Sequence, residues 1–263
     1  MRIRALMNSR YPKISPNSLL TQARALMRDL GLRMLPVVNE DMNLVGVVRR
    51  EHVLTLTSTK SDAIVANVME EPHLVFKPEE EDVKVFKTMI EFDEWYSPVV
   101  SEVGNKYLGV ISLDAFLREV IRKDTPLHEI KLSDVMSTNV EYVSPEDPVS
   151  KVWRKMVELR YSGFPVARNR DLVVVGIITQ HDLLKKGYTR IELESESGPR
   201  PGPKIKEAMT SPAEVLKPYN KVRDAVSLMV KKDFGRVPIV DDSYKLVGIV
   251  DRSDLCLVYL RPR

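Results

Sequence analysis

The sequence predicts an α+β fold built from four tandem β-α-β-β-α units, paired two and two. Three observations predict it. First, landmark residues recur in step. Met7, Met69, Met136 and Met209 are separated by 62, 67 and 73 residues, as are Pro16, Pro78, Pro145 and Pro218, and again Pro36, Pro98, Pro165 and Pro238; Gly46, Gly109, Gly176 and Gly248 follow at 63, 67 and 72. Second, apolar residues recur at helical spacing after the first proline of each set. Third, four similar stretches close the units: VGVVRREHVL (Val45 to Leu54), LGVISLDAFL (Leu108 to Leu117), VGIITQHDLL (Val175 to Leu184) and VGIVDRSDLC (Val247 to Cys256).

The third unit shows the order of elements. Val135-Met136 closes a leading segment, and Val140 to Val143 reads as a short strand. Ser144-Pro145 marks a turn, because proline fixes φ and suits a helix start. Val149, Val152, Trp153, Met156 and Val157 form one apolar helix face, and Gly163 reads as the helix end. Phe164 to Ala167 and Leu172 to Ile178 are two strands around the polar turn Arg168 to Asp171, and a helix follows Thr179. The first unit matches through Leu19, Ala23, Leu26, Met27 and Leu30, ending at Gly31. The second matches through Val83, Phe86, Met89 and Ile90. The fourth matches through Val222, Ala225, Val226, Met229 and Val230, ending at Gly235. The methionines and tryptophans at these positions, Trp95 and Trp153, read as core.

The units divide the chain at 1–60, 61–122, 128–188 and 203–263. A unit of this size with a half-covered sheet is marginal alone, so each needs a neighbour. Little separates the first two units. Arg118 to Ser133 separates them from the rest, and a longer polar stretch, Tyr188 to Pro203 with GPRPGP at its end, reads as a loop between the last two. The pairs expected are first with second and third with fourth.

Composition narrows the function. The 263 residues carry 40 basic and 37 acidic side chains, a balance that argues against nucleic acid or an anionic membrane as partner. Cys256 is the only cysteine, so no intrachain disulfide forms, and it reads as a small buried hydrophobe. Four separated histidines suggest no zinc site. The N-terminal stretch lacks the apolar run of a signal peptide, and nothing approaches a spanning helix. A cytoplasmic protein is expected. There is no nucleophile beside a base and no glycine-rich phosphate loop, so an enzyme is not expected.

The leading Val-Met, the Pro-Val-Val-like strand and the Gly-h-h-[Thr/Ser/Asp]-x-x-Asp stretch together resemble the CBS domain, named for cystathionine β-synthase. The resemblance covers nearly the whole chain, as four tandem copies. It implies two Bateman modules, each of two copies, with clefts that bind adenine nucleotides such as AMP, ADP or ATP, or in some members S-adenosylmethionine. It also implies a sensing role and modules that often assemble in pairs into a disc; a regulated protein partner and a homodimer are open, and no cofactor or metal is expected.

The box Thr179-x-x-Asp182 admits two readings. As a capping box, the hydroxyl and carboxylate satisfy orphan amides of the following helix, which needs no ligand. As a ligand site, the Asp182 carboxylate accepts from both hydroxyls of a ribose, with Thr179 beside it. The fourth unit keeps the acid as Asp254 but has Asp251 in place of threonine; the second has Ser112 and Ala115; the first has Arg49 and His52. Arg49, Arg50 and His52 read either as a solvated basic turn or as charge offered to phosphates. The resemblance further implies an adenine pocket at Ser137, Thr138, Asn139 and Val140 with Ser162, Gly163, Phe164 and Pro165. Its counterpart in the fourth unit is Thr210, Ser211, Pro212 and Ala213 with Gly235, Arg236 and Val237. His181 and Arg252 are expected at the phosphates, facing each other, although His181 also reads as an ordinary helix-start residue. The ligand expected is AMP or another adenine nucleotide between the third and fourth units. The competing reading is an interaction scaffold with vestigial clefts.

Overall fold

A computed structural model describes residues 1–54, 62–188 and 202–260. Most of GPRPGP, Gly198 to Pro201, lies outside the described residues. The first unit contains helix α1 (Leu20–Asp29), strands β1 (Met34–Val38) and β2 (Leu44–Arg49) and helix α2 (Arg50–Leu54). The second contains α3 (Asp82–Glu91), β3 (Tyr96–Val100), β4 (Tyr107–Ser112) and α4 (Leu113–Val120). The third contains α5 (Val149–Glu158), β5 (Gly163–Ala167), β6 (Val174–Thr179) and α6 (Gln180–Lys185). A short helix α7 (Ile205–Ala208) leads into the fourth, with α8 (Val222–Lys232), β7 (Arg236–Val240), β8 (Leu246–Asp251) and α9 (Arg252–Leu260). Among the described residues no helix is long and apolar enough to cross a membrane.

Each sheet is an antiparallel pair in one register. The landmark glycine stands opposite the residue after the landmark proline: Gly46 and Val37, Gly109 and Val99, Gly176 and Val166, Gly248 and Ile239. The additional first strand expected in each unit is only a single parallel bridge, at Ile14, Phe76, Val143 and Leu216. In the third unit, Val143 N donates to Pro165 O at 3.1 Å and Ala167 N to Val143 O at 3.0 Å. The Ser144-Pro145 turn follows at once, and proline has no N–H with which to extend the ladder.

The helix ends also differ from expectation. Gly31 follows α1 in a left-handed conformation, at φ +68°. After α3, α5 and α8 that conformation falls instead on Asp93, Arg160 and Asp233. Gly163 and Gly235 are therefore not helix ends. They border the second strands, where neighbouring atoms leave no room for a side chain.

The landmarks are explained by an exchange between units. Each leading segment leaves its own unit and hydrogen-bonds to the glycine-bearing strand of its neighbour. Asn8 pairs with Val110, Glu70 with Val47, Ser137 with Ile249 and Thr210 with Ile177. A Cβ at Gly176 would lie 2.7 Å from Met209 Sδ, and one at Gly248 would lie 2.5 Å from Met136 Sδ. At Gly46, Gly176 and Gly248 the neighbour's landmark methionine thus rests on the glycine, while at Gly109 the backbone of Asn8 and Ser9 does. The first landmark prolines join the same exchange. Carbonyls of Pro16, Pro78, Pro145 and Pro218 accept from Ala66, Arg4, Lys206 and Ser133, all in the neighbour's leading segment.

The helices pack in the other direction. Ala23, Met27, Val53 and Leu54 share a core with Val152, Trp153, Met156, Leu183 and Leu184. Phe86, Met89, Leu113 and Leu117 share another with Val226, Met229, Leu255 and Cys256. Each unit therefore meets one neighbour across its sheet and a different one across its helices. Of the predicted helix-face residues, Leu19, Leu30, Val83 and Val157 are exposed, because they sit at the margins of the apolar stripes. Trp153 is core, as expected, but Trp95 is only partly buried.

Gly109 tests the exchange. Its φ is +156°, and a Cβ there would lie 2.5 Å from Asn8 O, a backbone atom that cannot swing away. Gly109→Ala is expected to lower stability by roughly 1–3 kcal/mol in urea unfolding. An unchanged midpoint would refute the close-approach account.

Candidate ligand-binding site

The exchange decides which residues can meet. Because Ser137 lies on β8, the third unit's strand edges face the fourth unit's box. Because Thr210 lies on β6, the fourth unit's edges face the third unit's box. Each cleft is thus built crosswise, from the pocket residues of one unit and the box of its neighbour.

One of these clefts opens into a cavity of about 630 Å³. Ser137, Asn139, Val140, Ser162, Gly163 and Phe164 line it from the third unit, with Arg236, Asp251 and Asp254 from the fourth. Thr138 and Pro165 do not line it; Pro165 is buried opposite Ile177 in the sheet. Asp251 and Asp254 are set by the strand-to-helix turn from β8 to α9. Asp251 N donates to Asp254 Oδ2 at 2.9 Å, and Asp254 N donates to Asp251 Oδ1 at 3.0 Å. This reciprocal pair is a capping box in which two acids stand where Thr and Glu commonly do. One carboxylate oxygen of each residue is held by the backbone, which fixes both side chains at the cavity wall.

The other box is closed upon itself. Asp182 Oδ2 accepts from Thr179 N at 2.8 Å and from Thr179 Oγ1 at 2.6 Å, while Asp182 Oδ1 accepts from Thr210 Oγ1 at 2.7 Å. Ser211 Oγ donates to Val175 O at 2.8 Å. Neither Thr179 nor Asp182 lines the cavity, and nor do Thr210, Ser211, Pro212, Ala213, Gly235 or Val237. Arg236 lines it from an unexpected side. Its guanidinium leaves its own unit and donates to Gly163 O at 2.6 Å and Ser162 Oγ at 3.3 Å.

Two basic assignments are corrected. Arg252 is not at a cleft face opposite His181: it is fully buried. Its guanidinium donates to Phe234 O at 3.1 Å, Tyr96 Oη at 2.8 Å and Asp233 Oδ1 at 2.5 Å. The first residue of each box helix points inward, so Arg50, Leu113, Gln180 and Arg252 are all buried. His181 is partly buried beside Arg50 and Arg33 and does not line the cavity; burial and the Arg50 charge hold its pKa down. The basic turn of the first unit is not free charge either. Arg49 donates to Glu70 Oε1 at 2.6 Å and to both oxygens of Glu94, at 3.0 and 2.7 Å. Arg50 donates to the carbonyls of Leu32 and Gly31. His73 adds a 2.7 Å contact to Glu94. Arg49, Arg50, His52, Glu70, His73 and Glu94 also line the cavity, so the first unit's basic turn reaches it as part of an ion-pair network.

Charge inside the cavity is unbalanced locally. Burial and the charge of Arg252 lower the pKa of Arg33, and burial and the charge of Arg33 lower that of Arg50 to about 9. Burial also lowers Arg236, with Asp251 opposing and Arg33 assisting. Among the acids, burial and then Asp251 push Asp254 up to about 7, and burial and then Asp251 raise Asp93. Guanidiniums crowd one another in low dielectric while a carboxyl beside them holds its proton, an arrangement common at functional sites. Among the described residues no group of His, Cys, Asp and Glu is placed to hold a metal ion.

Sequence reasoning missed Arg33 and Trp95, which line the cavity from the first and second units. A signal was present. Both stand three residues before the landmark proline, the position of Ser162 and Gly235 in the units that were read as pockets.

A family profile described as CBS domain matches residues 3–58, 132–188 and 205–261. Protein MJ1404 of Methanocaldococcus jannaschii is 25% identical over 267 residues, covering 96% of this chain and 60% of its own length. Inosine-5'-monophosphate dehydrogenase of the same organism is 31% identical over 148 residues, covering 56% of this chain and 27% of that enzyme. The chain thus spans less than two thirds of either relative. Among solved structures, protein MJ1225 from M. jannaschii superposes with a TM-score of 0.85 at 20% identity, covering 98% of this chain and 100% of that one. A Pyrococcus horikoshii protein gives 0.67 at 20% identity, covering 99% and 100%. At such identities the likeness is one of fold.

The raised Asp254 carboxyl has a measurable consequence. Carboxyl-carbon NMR is expected to show it titrating near pH 7, and Asp251→Asn is expected to move that midpoint down by removing a like charge. A folded pKa above the unfolded value of about 4 contributes stability fully below that value, and loses it as pH rises through about 7. An Asp254 midpoint at the ordinary aspartate value would contradict the burial account.

Proposed function

The chain belongs to the CBS-domain family, and on that premise we propose that it is a regulatory adenine-nucleotide sensor whose ligand lies between the third and fourth units. The single observation that carries this reading is the juxtaposition, in one cavity, of the third unit's strand edges with Asp251 and Asp254. Backbone amides and carbonyls at Asn139 and Val140 suit the hydrogen-bonding edge of adenine, and Val140 and Phe164 suit its faces. The free oxygen of Asp254 suits the vicinal hydroxyls of ribose. Arg33 and Arg236, close together at the cavity, suit a phosphate electrostatically, which favours AMP, ADP or ATP. The sulfonium of S-adenosylmethionine would gain nothing from those guanidiniums, although Asp93 and Asp251 would favour it. Bound ligand would tie the third unit to the fourth, so the proposed output is a change in how the units sit together, read by a protein partner in the cytoplasm.

A second reading has its own observation. Arg49, Glu70, Glu94 and His73 occupy the first–second cleft with ion pairs, as a vestigial cleft in a scaffold would. We assign that role to this half alone.

Calorimetry on the whole chain with AMP, ADP, ATP and S-adenosylmethionine tests the proposal. One nucleotide is expected to bind, and Asp254→Ala to weaken it roughly 10- to 100-fold, the loss of hydrogen bonds to a charged group. Affinity is expected to rise with pH through about 7 as Asp254 ionises and becomes a full acceptor. No binding by any of the four compounds, or indifference to Asp254→Ala, would remove this reading.

A further inference from the structure

The positions three residues before the landmark prolines hold Arg33, Trp95, Ser162 and Gly235, and the fold brings them together at the cavity. Trp95 carries two guanidiniums on its indole: Arg33 Cζ lies 5.3 Å from a ring centroid and Arg236 Cζ 6.0 Å. Gly235 makes this approach possible, since a Cβ there would lie 2.8 Å from both Arg33 Nη2 and Trp95 Cζ3. Indole Nε1 donates to Ser253 Oγ at 3.0 Å. Ser253 is in the first turn of α9, between Asp251 and Asp254. Trp95, which belongs to the half with no box acid, thus touches both the arginine and the helix turn that define the opposite cleft.

We propose that Trp95 is a positioning residue for the nucleotide of the third–fourth cleft: by holding Arg236 at the strand edge, it sets the preference for a phosphorylated over an unphosphorylated nucleoside. The proposal rests on the functional reading above. Its physical basis is the cost of ordering a long side chain. A free arginine loses rotamer entropy when a ligand fixes it. Here the indole and the Tyr161 ring, 5.5 Å from Arg236 Cζ, hold the guanidinium before any ligand arrives. The ring also keeps Arg236 and Arg33 close despite their repulsion, which a phosphate would relieve. Without the indole, only Gly163 O, Ser162 Oγ and the Tyr161 ring hold Arg236 against the pull of Asp251 and Asp93, and its guanidinium shifts toward those acids. Base and ribose contacts would survive that shift, and the phosphate contact would not.

The test compares AMP with adenosine on the full chain by calorimetry, in the native protein, Trp95→Leu and Trp95→Phe. Trp95→Leu is expected to weaken AMP about tenfold while leaving adenosine within about twofold, and Trp95→Phe, which keeps a ring, to recover most of the AMP affinity. Indole emission gives an independent reading that needs no leucine variant. AMP is expected to change the fluorescence of the native protein, and that change to vanish in Trp95→Phe, where only the core Trp153 remains. Equal losses for AMP and adenosine, no loss for either, or an AMP-dependent signal that persists in Trp95→Phe would each overturn the proposal alone. Failure of the native protein to bind AMP would instead overturn the functional reading, and this inference with it.

Discussion

The rest of the structure depends on a backbone laid against a strand where no side chain can intervene. Each leading segment crosses to its neighbour and hydrogen-bonds over a glycine, where the space for a Cβ is already taken by methionine sulfur or by a carbonyl. That contact welds two half-covered sheets into one pair. It also fixes the register in which pocket residues of one unit meet the box of the other. Were the leading segments to fold back on their own units, Ser137 would not lie on β8, and Asp254 would face no strand edge. The cleft is a product of the weld rather than a feature of any single unit.

The two clefts of the third–fourth pair start from the same geometry and end differently through side-chain chemistry. Thr179 can donate to Asp182, and Thr210 donates to it as well, so that carboxylate is satisfied within the protein. Asp251 cannot donate when ionised. Asp254 therefore keeps an oxygen for the cavity and, beside a like charge in a partly buried place, holds its proton to about pH 7. The more complete box in sequence is the one whose groups consume each other. In the first–second pair, the Arg49 guanidinium faces the same cavity but is already paired with Glu70 and Glu94.

Some features were legible because they repeat. Four landmarks at matching intervals marked the units, and the crossing of leading segments pairs the first with the second and the third with the fourth. The apolar stripes were right along their middles, at Ala23, Val152, Phe86 and Val226, and wrong at their margins, at Leu19 and Val157. Periodicity locates the centre of a helix face better than its edge. The first strand was misjudged because a short apolar run before Ser-Pro resembles a strand, while a single bridge is all that proline permits. Gly163 and Gly235 were misjudged because a glycine after a helix has two physical uses, a left-handed turn and a close approach, and only coordinates separate them.

By itself the sequence determined the repeat, its family resemblance and the residue types at each box, since these follow from local spacing and chemistry. Only the tertiary structure decided which pocket meets which box, that Arg252 is buried in the interior, and that Arg33 and Trp95 of the first two units reach the cleft of the last two. Those outcomes rest on contacts between residues far apart in the chain, such as Trp95 with Ser253 and Arg252 with Tyr96. Such contacts leave no periodic trace, because each is made once.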